Sequence, residues 1–170
     1  MKLKRFWILA IFLAGILFNA GLPAYATSSD EAQIKALEAH LVAGFRALDI
    51  KSIMECYVLD DSLFAYDANP PRQFVGPEAY KKDWEGFLTT FPGPVTVEMS
   101  DLKVTNDAKL GFGHSIIHFV GTNKDGKKVD LTLRVTDGYR KIKGKWLIVE
   151  EHSSVPVDFD TGKADFTSKP

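Results

Sequence analysis

The chain has 170 residues, enough for one domain behind a targeting segment, and its 21 basic and 22 acidic side chains leave a formal charge of −1. No basic patch with interleaved aromatics is present, which excludes nucleic acid as a partner class. The single cysteine, Cys56, rules out an internal disulfide, so packing alone must hold the fold.

Lys2, Lys4 and Arg5 precede the apolar run Phe6 to Phe18, and Ala24-Tyr25-Ala26 then offers small residues at a cleavage spacing. A basic start, an apolar stretch and an A-x-A site define a secretory signal peptide over 1–26. The run of 13 residues falls short of the ~20 that span a bilayer, which favours cleavage after Ala26 over a retained anchor. The expectation is an exported protein, periplasmic or secreted, with no membrane association once the leader is cut. Losing Lys2, Lys4 and Arg5 takes the 21 basic residues to 18 against 22 acidic, a formal charge near −4.

Beyond the leader, Ser28, Ser29 or Asp30 can cap a first helix, and Glu31 and Glu38 favour its early turns. Ile34, Leu37, Leu41, Phe45 and Leu48 recur at three- and four-residue steps, a narrow apolar stripe. Asp49 interrupts it, and Ile50 to Tyr57 reads as a second, short helix. Cys56, among Ile53, Met54, Tyr57 and Val58, reads as a small buried apolar residue. Leu63 to Tyr66 and Gln73 to Val75 predict two short strands. Pro77 suits the first position of a third helix, whose stripe of Tyr80, Trp84, Phe87, Leu88 and Phe91 reads first as core.

From Val95 the pattern changes to strands: 95–105, 111–122, 129–141 and 145–155, separated by Asn106-Asp107, Lys124-Asp125-Gly126 and Lys143-Gly144-Lys145. In the third, Val129, Leu131, Leu133 and Val135 alternate with Asp130, Thr132, Arg134 and Thr136, so one face is apolar and the other polar. Either face can be the one that looks inward. Pro156 cannot donate to a ladder and closes the last strand. The domain therefore spans 27–157, and the polar segment 158–170 reads as a loosely held tail. Helices gathered first and antiparallel strands after them predict an α+β domain with helices on one sheet face.

This order, together with Asp49, Asp60-Asp61, Gly76-Pro77 leading into the aromatic helix, Arg134-Val135-Thr136, Gly144-Lys145-Trp146 and His152-Ser153-Ser154, resembles the nuclear transport factor 2-like superfamily. The chain is most similar to its SnoaL-like and ketosteroid isomerase-like branch, near the association domain of calcium/calmodulin-dependent kinase II. The resemblance implies a cone-shaped, cystatin-like fold in which a curved antiparallel sheet, packed by three N-terminal helices, encloses a pocket. It also implies a homodimer through the sheet's other face. Ketosteroid isomerase pairs a carboxylate base with a Tyr and a protonated Asp; Tyr66 and Asp67 lie near the matching element, but the full set has no motif match here.

Several residues can carry chemistry. Arg134, mid-strand among apolar neighbours, suits an anion or carbonyl clamp, because guanidinium binds carboxylates bidentately; the alternative is a solvated strand residue. His152 ends the last strand beside Glu150 and Glu151, and His114 follows Gly111 and Gly113, which leave room for close approach of another group. His118 alternates with His114, but no third ligand accompanies the pair, so no metal or cofactor is expected. The predicted site is Tyr66, Trp84, His114, Arg134 and His152 around a small, partly apolar organic ligand. Chemistry there would be cofactor-free proton transfer (isomerisation, cyclisation or dehydration), with His152 or Asp67 as base and Arg134 as electrophilic stabiliser. The competing function is a non-catalytic oligomerisation or ligand-binding module.

Overall fold

The computed structural model describes residues 28–168, so the predicted signal peptide lies outside the described residues. The elements follow the expected order: α1 (Ser28–Ala47), α2 (Ile50–Met54), β1 (Phe64–Tyr66), β2 (Phe74–Val75), α3 (Pro77–Leu88), β3 (Thr96–Asn106), β4 (Leu110–Thr122), β5 (Lys128–Ile142) and β6 (Lys145–Ser154). Two short strands, β7 (Val157–Asp158) and β8 (Lys163–Ala164), come after them. Asp49 caps α2 with its side chain, accepting from Lys51 N at 3.0 Å and Ser52 N at 3.3 Å. Gly144 turns β5 into β6 with φ of 85°, a left-handed conformation that glycine adopts without steric cost.

Six strands pair in the order β2-β1-β6-β5-β4-β3. The long strands are antiparallel as expected, but β1 runs parallel to β6, with Phe64 opposite Glu150 and Tyr66 opposite His152. The sheet is therefore mixed. Alternation along β1 reveals a strand but carries no information about which distant strand it joins, nor in which direction. Register shifts between Ser100 and Lys103 and between Gly138 and Tyr139 mark bulges, the device that bends a sheet into a curve.

Odd-numbered residues of β4 and β5 point to the concave face, under α1 and α3. Helix α1 is tied across that face: Arg46 Nε donates to Val97 O at 2.7 Å, and Asp30 accepts from Trp146 Nε1 at 3.1 Å and from Lys141. Ile34, Leu37, Tyr57, Tyr80, Trp146 and Ile148 pack one end of the cone solid, each buried apolar side chain contributing roughly 1.5–3 kcal/mol. Val42, Phe91, Val95, Val97 and Phe119 pack the other end. Cys56 is buried in the first cluster, as read from the sequence, and burial pushes its thiol up to about 12. The tail is not loose. After the β7–β8 hairpin it returns to the sheet, where Asp165 N donates to Pro156 O at 2.8 Å and Thr132 N donates to Phe166 O at 2.7 Å.

Candidate functional site

Between the two packed ends the cone encloses a cavity of about 530 Å³. Its walls change character along β5. Leu131, Leu133 and Val135 face the cavity first, with Phe119 and Ile117 beside them on β4 and Phe166 of the tail across the opening. Two residues further, the same face presents Asp137, paired in register with Glu151 of β6. Helix α1 repeats this gradient: Leu41, Val42 and Phe45 line the apolar end, and Glu38 the polar one.

Glu38, Asp137 and Glu151 are 1%, 3% and 4% exposed, and all three line the cavity. Two of them accept from phenols. Tyr139 Oη donates to Glu38 Oε1 at 2.6 Å, while Tyr57 and Tyr80 both donate to Glu151. Gly113 makes the first of these bonds possible: a Cβ there would lie 2.5 Å from Tyr139 Oη and 3.1 Å from its ring. The close approach that the Gly111-Phe112-Gly113 run predicts is thus made by a tyrosine. Glu38 Oε2, Asp137 Oδ1 and Trp84 Nε1 are buried without a partner.

Burial governs the ionisation of this group. It pushes the Glu38 carboxyl up to about 7, against the downward pull of the Tyr139 hydrogen bond. Asp137 is raised well above the usual range by burial and then by the negative charges of Glu38 and Glu151. Glu151 is raised by burial too, with Tyr57 and Tyr80 acting the other way. Asp67, half-buried in the loop after β1, is pushed up to about 7, by burial first, and its Oδ1 accepts from Ala68 N. The three phenols are held protonated by the same burial and serve as donors.

Of the site residues predicted from sequence, Asp67 and Trp84 line the cavity. Arg134, His114, His152 and Tyr66 do not. Even-numbered positions of β4, and of β5 up to the Gly138–Tyr139 bulge, face away from α1, as does His152 of β6, so Arg134 and His114 line an outer depression of about 390 Å³ with Asp101, Thr132 and Asp165. Tyr66 and His152 stack with ring centroids 5.6 Å apart, and both are exposed. The strand pattern leaves open which face looks inward; the structure turns the apolar side of β5 toward the pocket. His118 also faces outward, its Nε2 2.8 Å from Asp130 Oδ1.

Sequence reasoning missed Glu38, Asp137 and Glu151. The signal existed for two of them: Glu38 sits four residues after Ile34 and one after Leu37, inside the apolar stripe, and Asp137 continues the inward row of Leu131, Leu133 and Val135. A charge in register with a core face is costly unless it has a purpose. Among the described residues, no group of three or more His, Cys, Asp or Glu side chains is placed to hold a metal ion.

A curved sheet roofed by helices around a cavity is the architecture of a pocket protein, and comparison with known proteins defines which kind. The SnoaL-like domain family matches residues 34–158, and the chain belongs to that family within the nuclear transport factor 2-like superfamily. Among solved structures it is similar to a nuclear transport factor 2-like protein of unknown function from Pseudomonas putida KT2440, with 30% identity over 85% of this chain and 99% of that one and a TM-score of 0.76. A protein from Xanthomonas campestris assigned as a calcium/calmodulin-dependent protein kinase II association domain shares 26% identity over 79% and 91%, with a TM-score of 0.58. A protein from Streptomyces avermitilis assigned as a dehydratase of the same superfamily shares the fold at 10% identity, over 74% and 95%, with a TM-score of 0.65. Comparison with curated proteins finds no match.

Proposed function

We propose that this SnoaL-like protein is exported and takes a small, largely apolar organic molecule into the cone, where Asp67 moves a proton on it without a cofactor. The observation that carries this reading is Asp67, half-buried on the wall of a cavity with a long apolar end, where burial pushes its carboxyl up to about 7. A base poised near the working pH is half free to accept a proton and strong enough to take one. The Trp84 indole N–H, buried on the same cavity wall without a partner, is a ready donor to developing negative charge. The dehydratase assignment of the Streptomyces relative supports the reaction class, and the basic-apolar-small pattern of residues 1–26 supports export.

Native mass spectrometry of residues 27–170 from an exporting host tests the cavity reading directly. Wild type should retain a small molecule that Leu133→Trp, which fills the cavity, loses. Retention unchanged in Leu133→Trp would sink the assignment. Asp67→Asn should keep the molecule but lose turnover, by about 10²–10⁴-fold for a general base.

The second reading, a homodimer through the sheet's outer face, is favoured by one feature. Leu110 and Phe112 lie on that face 56% and 54% exposed, an apolar pair that water solvates poorly. Sedimentation showing a stable monomer at micromolar concentration would count against it.

A further inference from the structure

We infer that the polar end of the cavity is a cation site, built by Glu38 and Asp137 for the ammonium group of a primary or secondary amine whose body is apolar. This deepens the proposed function and rests on the cavity being the ligand site.

Among the described residues, none of the ion pairs involves Glu38, Asp67, Asp137 or Glu151. Buried carboxyls are ordinarily matched by Lys, Arg, His or a metal. Here the titratable groups facing them carry no positive charge: the phenols of Tyr57, Tyr80 and Tyr139, the Cys56 thiol, and the further acids Asp67 and Asp83, with the neutral Trp84 indole and Ser153 hydroxyl on the cavity wall. The cavity's single basic residue, Lys82, is an exposed rim residue of α3.

The phenols also do not finish the task. Glu151 receives two of them, and Glu38 Oε1 receives the third. Glu38 Oε2 and Asp137 Oδ1 are left as buried oxygens without a hydrogen-bond partner, and Trp84 Nε1, an unpartnered donor on the same cavity wall, is bonded to neither. A ligand completing the site must therefore bring N–H or O–H groups, and a positive charge adds the missing neutralisation. An ammonium brings up to three donors on one atom. A carboxylate ligand would be repelled, and a quaternary amine would bring charge without donors. With no three-ligand metal geometry among the described residues, the cation is organic. The body of the molecule then lies against Phe45, Trp84, Phe87 and Phe119, whose ring faces attract a nearby cation as well as apolar surface.

A matched probe series tests this by calorimetry on the 27–170 chain: 2-(1-naphthyl)ethylamine, 2-(1-naphthyl)ethanol and 1-naphthaleneacetate, one body with three head groups. At pH 8 the amine should bind about tenfold or more tighter than the alcohol, and the acid weakest of all. Amine affinity should rise from pH 6 to 8, because the carboxyls must be ionised to receive it, while the amine stays protonated to about pH 10. Alcohol affinity should fall over the same range. Glu38→Gln and Asp137→Asn should each erase most of the amine's advantage over the alcohol, with the fold of each variant checked by circular dichroism. If the alcohol equals the amine at pH 8, or the amine's advantage survives both variants, the cation site is wrong and the cavity reading stands. If none of the three binds wild type, both fall.

Discussion

Asp130 and Asp137 lie on one strand, seven positions apart, and behave as different chemical groups. Asp130 faces outward, where Lys128 Nζ and His118 Nε2 each approach it at 2.8 Å and hold its carboxyl down at about 2. Asp137 faces the cavity, has no basic neighbour, and burial raises it well above the usual range. Strand alternation decides the difference, since an odd spacing puts the two residues on opposite faces. The outer face treats charge as a surface protein does, with partners and water. The inner face stores unpaired acid, which is stable there only while protonated or while something else supplies the positive charge.

The largest test of that contrast is the pH dependence of stability. Glu38 is about 7 in the folded chain and near ~4.3 when unfolded. A raised pKa means that its stability is fully present below the unfolded value and is lost as pH climbs through the folded one. Melting temperature of the ligand-free protein should thus fall between pH 4 and 7.5, Glu38 alone accounting for up to about 3 kcal/mol. Glu38→Gln should flatten the curve. Asp130 works in the opposite sense: depressed to about 2, its contribution is present above its unfolded value near ~3.9 and lost as pH drops through 2. A melting temperature that rises from pH 4 to 7.5 would mean the inner carboxyls are already solvated or paired.

Next in size is the loss of a phenol. Tyr80→Phe removes one of the two donors to the buried Glu151 and should cost about 1–3 kcal/mol in urea unfolding, the range for a buried acceptor left unsatisfied. Lys128→Ala breaks the outer pair with Asp130, where both side chains reach solvent, and should cost no more than about 1 kcal/mol. Equal losses would erase the distinction between the faces.

How much of this was legible beforehand follows the same divide. Periodicity found α1, α3 and the four long strands because burial imposes it on local sequence. The Gly113 gap was visible, though not that Tyr139 would fill it. What was not legible is anything set by distant pairing: the parallel join of β1 to β6, the return of Phe166 to the edge of β5, and which side of β5 faces α1. Strand alternation leaves that last point open. Polar residues such as Arg134 and His152 drew attention as chemistry, while Glu38 was read as serving the helix dipole and Asp137 went unremarked. Inside an apolar row a single acid is the stronger signal, because water gives a surface residue an innocent explanation and gives a buried one none.

The smallest expected effect is therefore the most discriminating for the sequence-based site. Arg134 is exposed, makes no ion pair among the described residues, and lies on the face opposite the cavity with Asp101 and Asp165 nearby. Arg134→Ala should change stability by no more than about 0.5 kcal/mol and leave calorimetric binding of 2-(1-naphthyl)ethanol within about twofold of wild type. Trp84→Ala should weaken that binding by about tenfold, since it removes an aromatic wall and a buried, unpartnered indole N–H. Should Arg134→Ala abolish binding while Trp84→Ala spares it, the ligand would sit in the outer depression, and the inner carboxyls would have to be explained as structure alone.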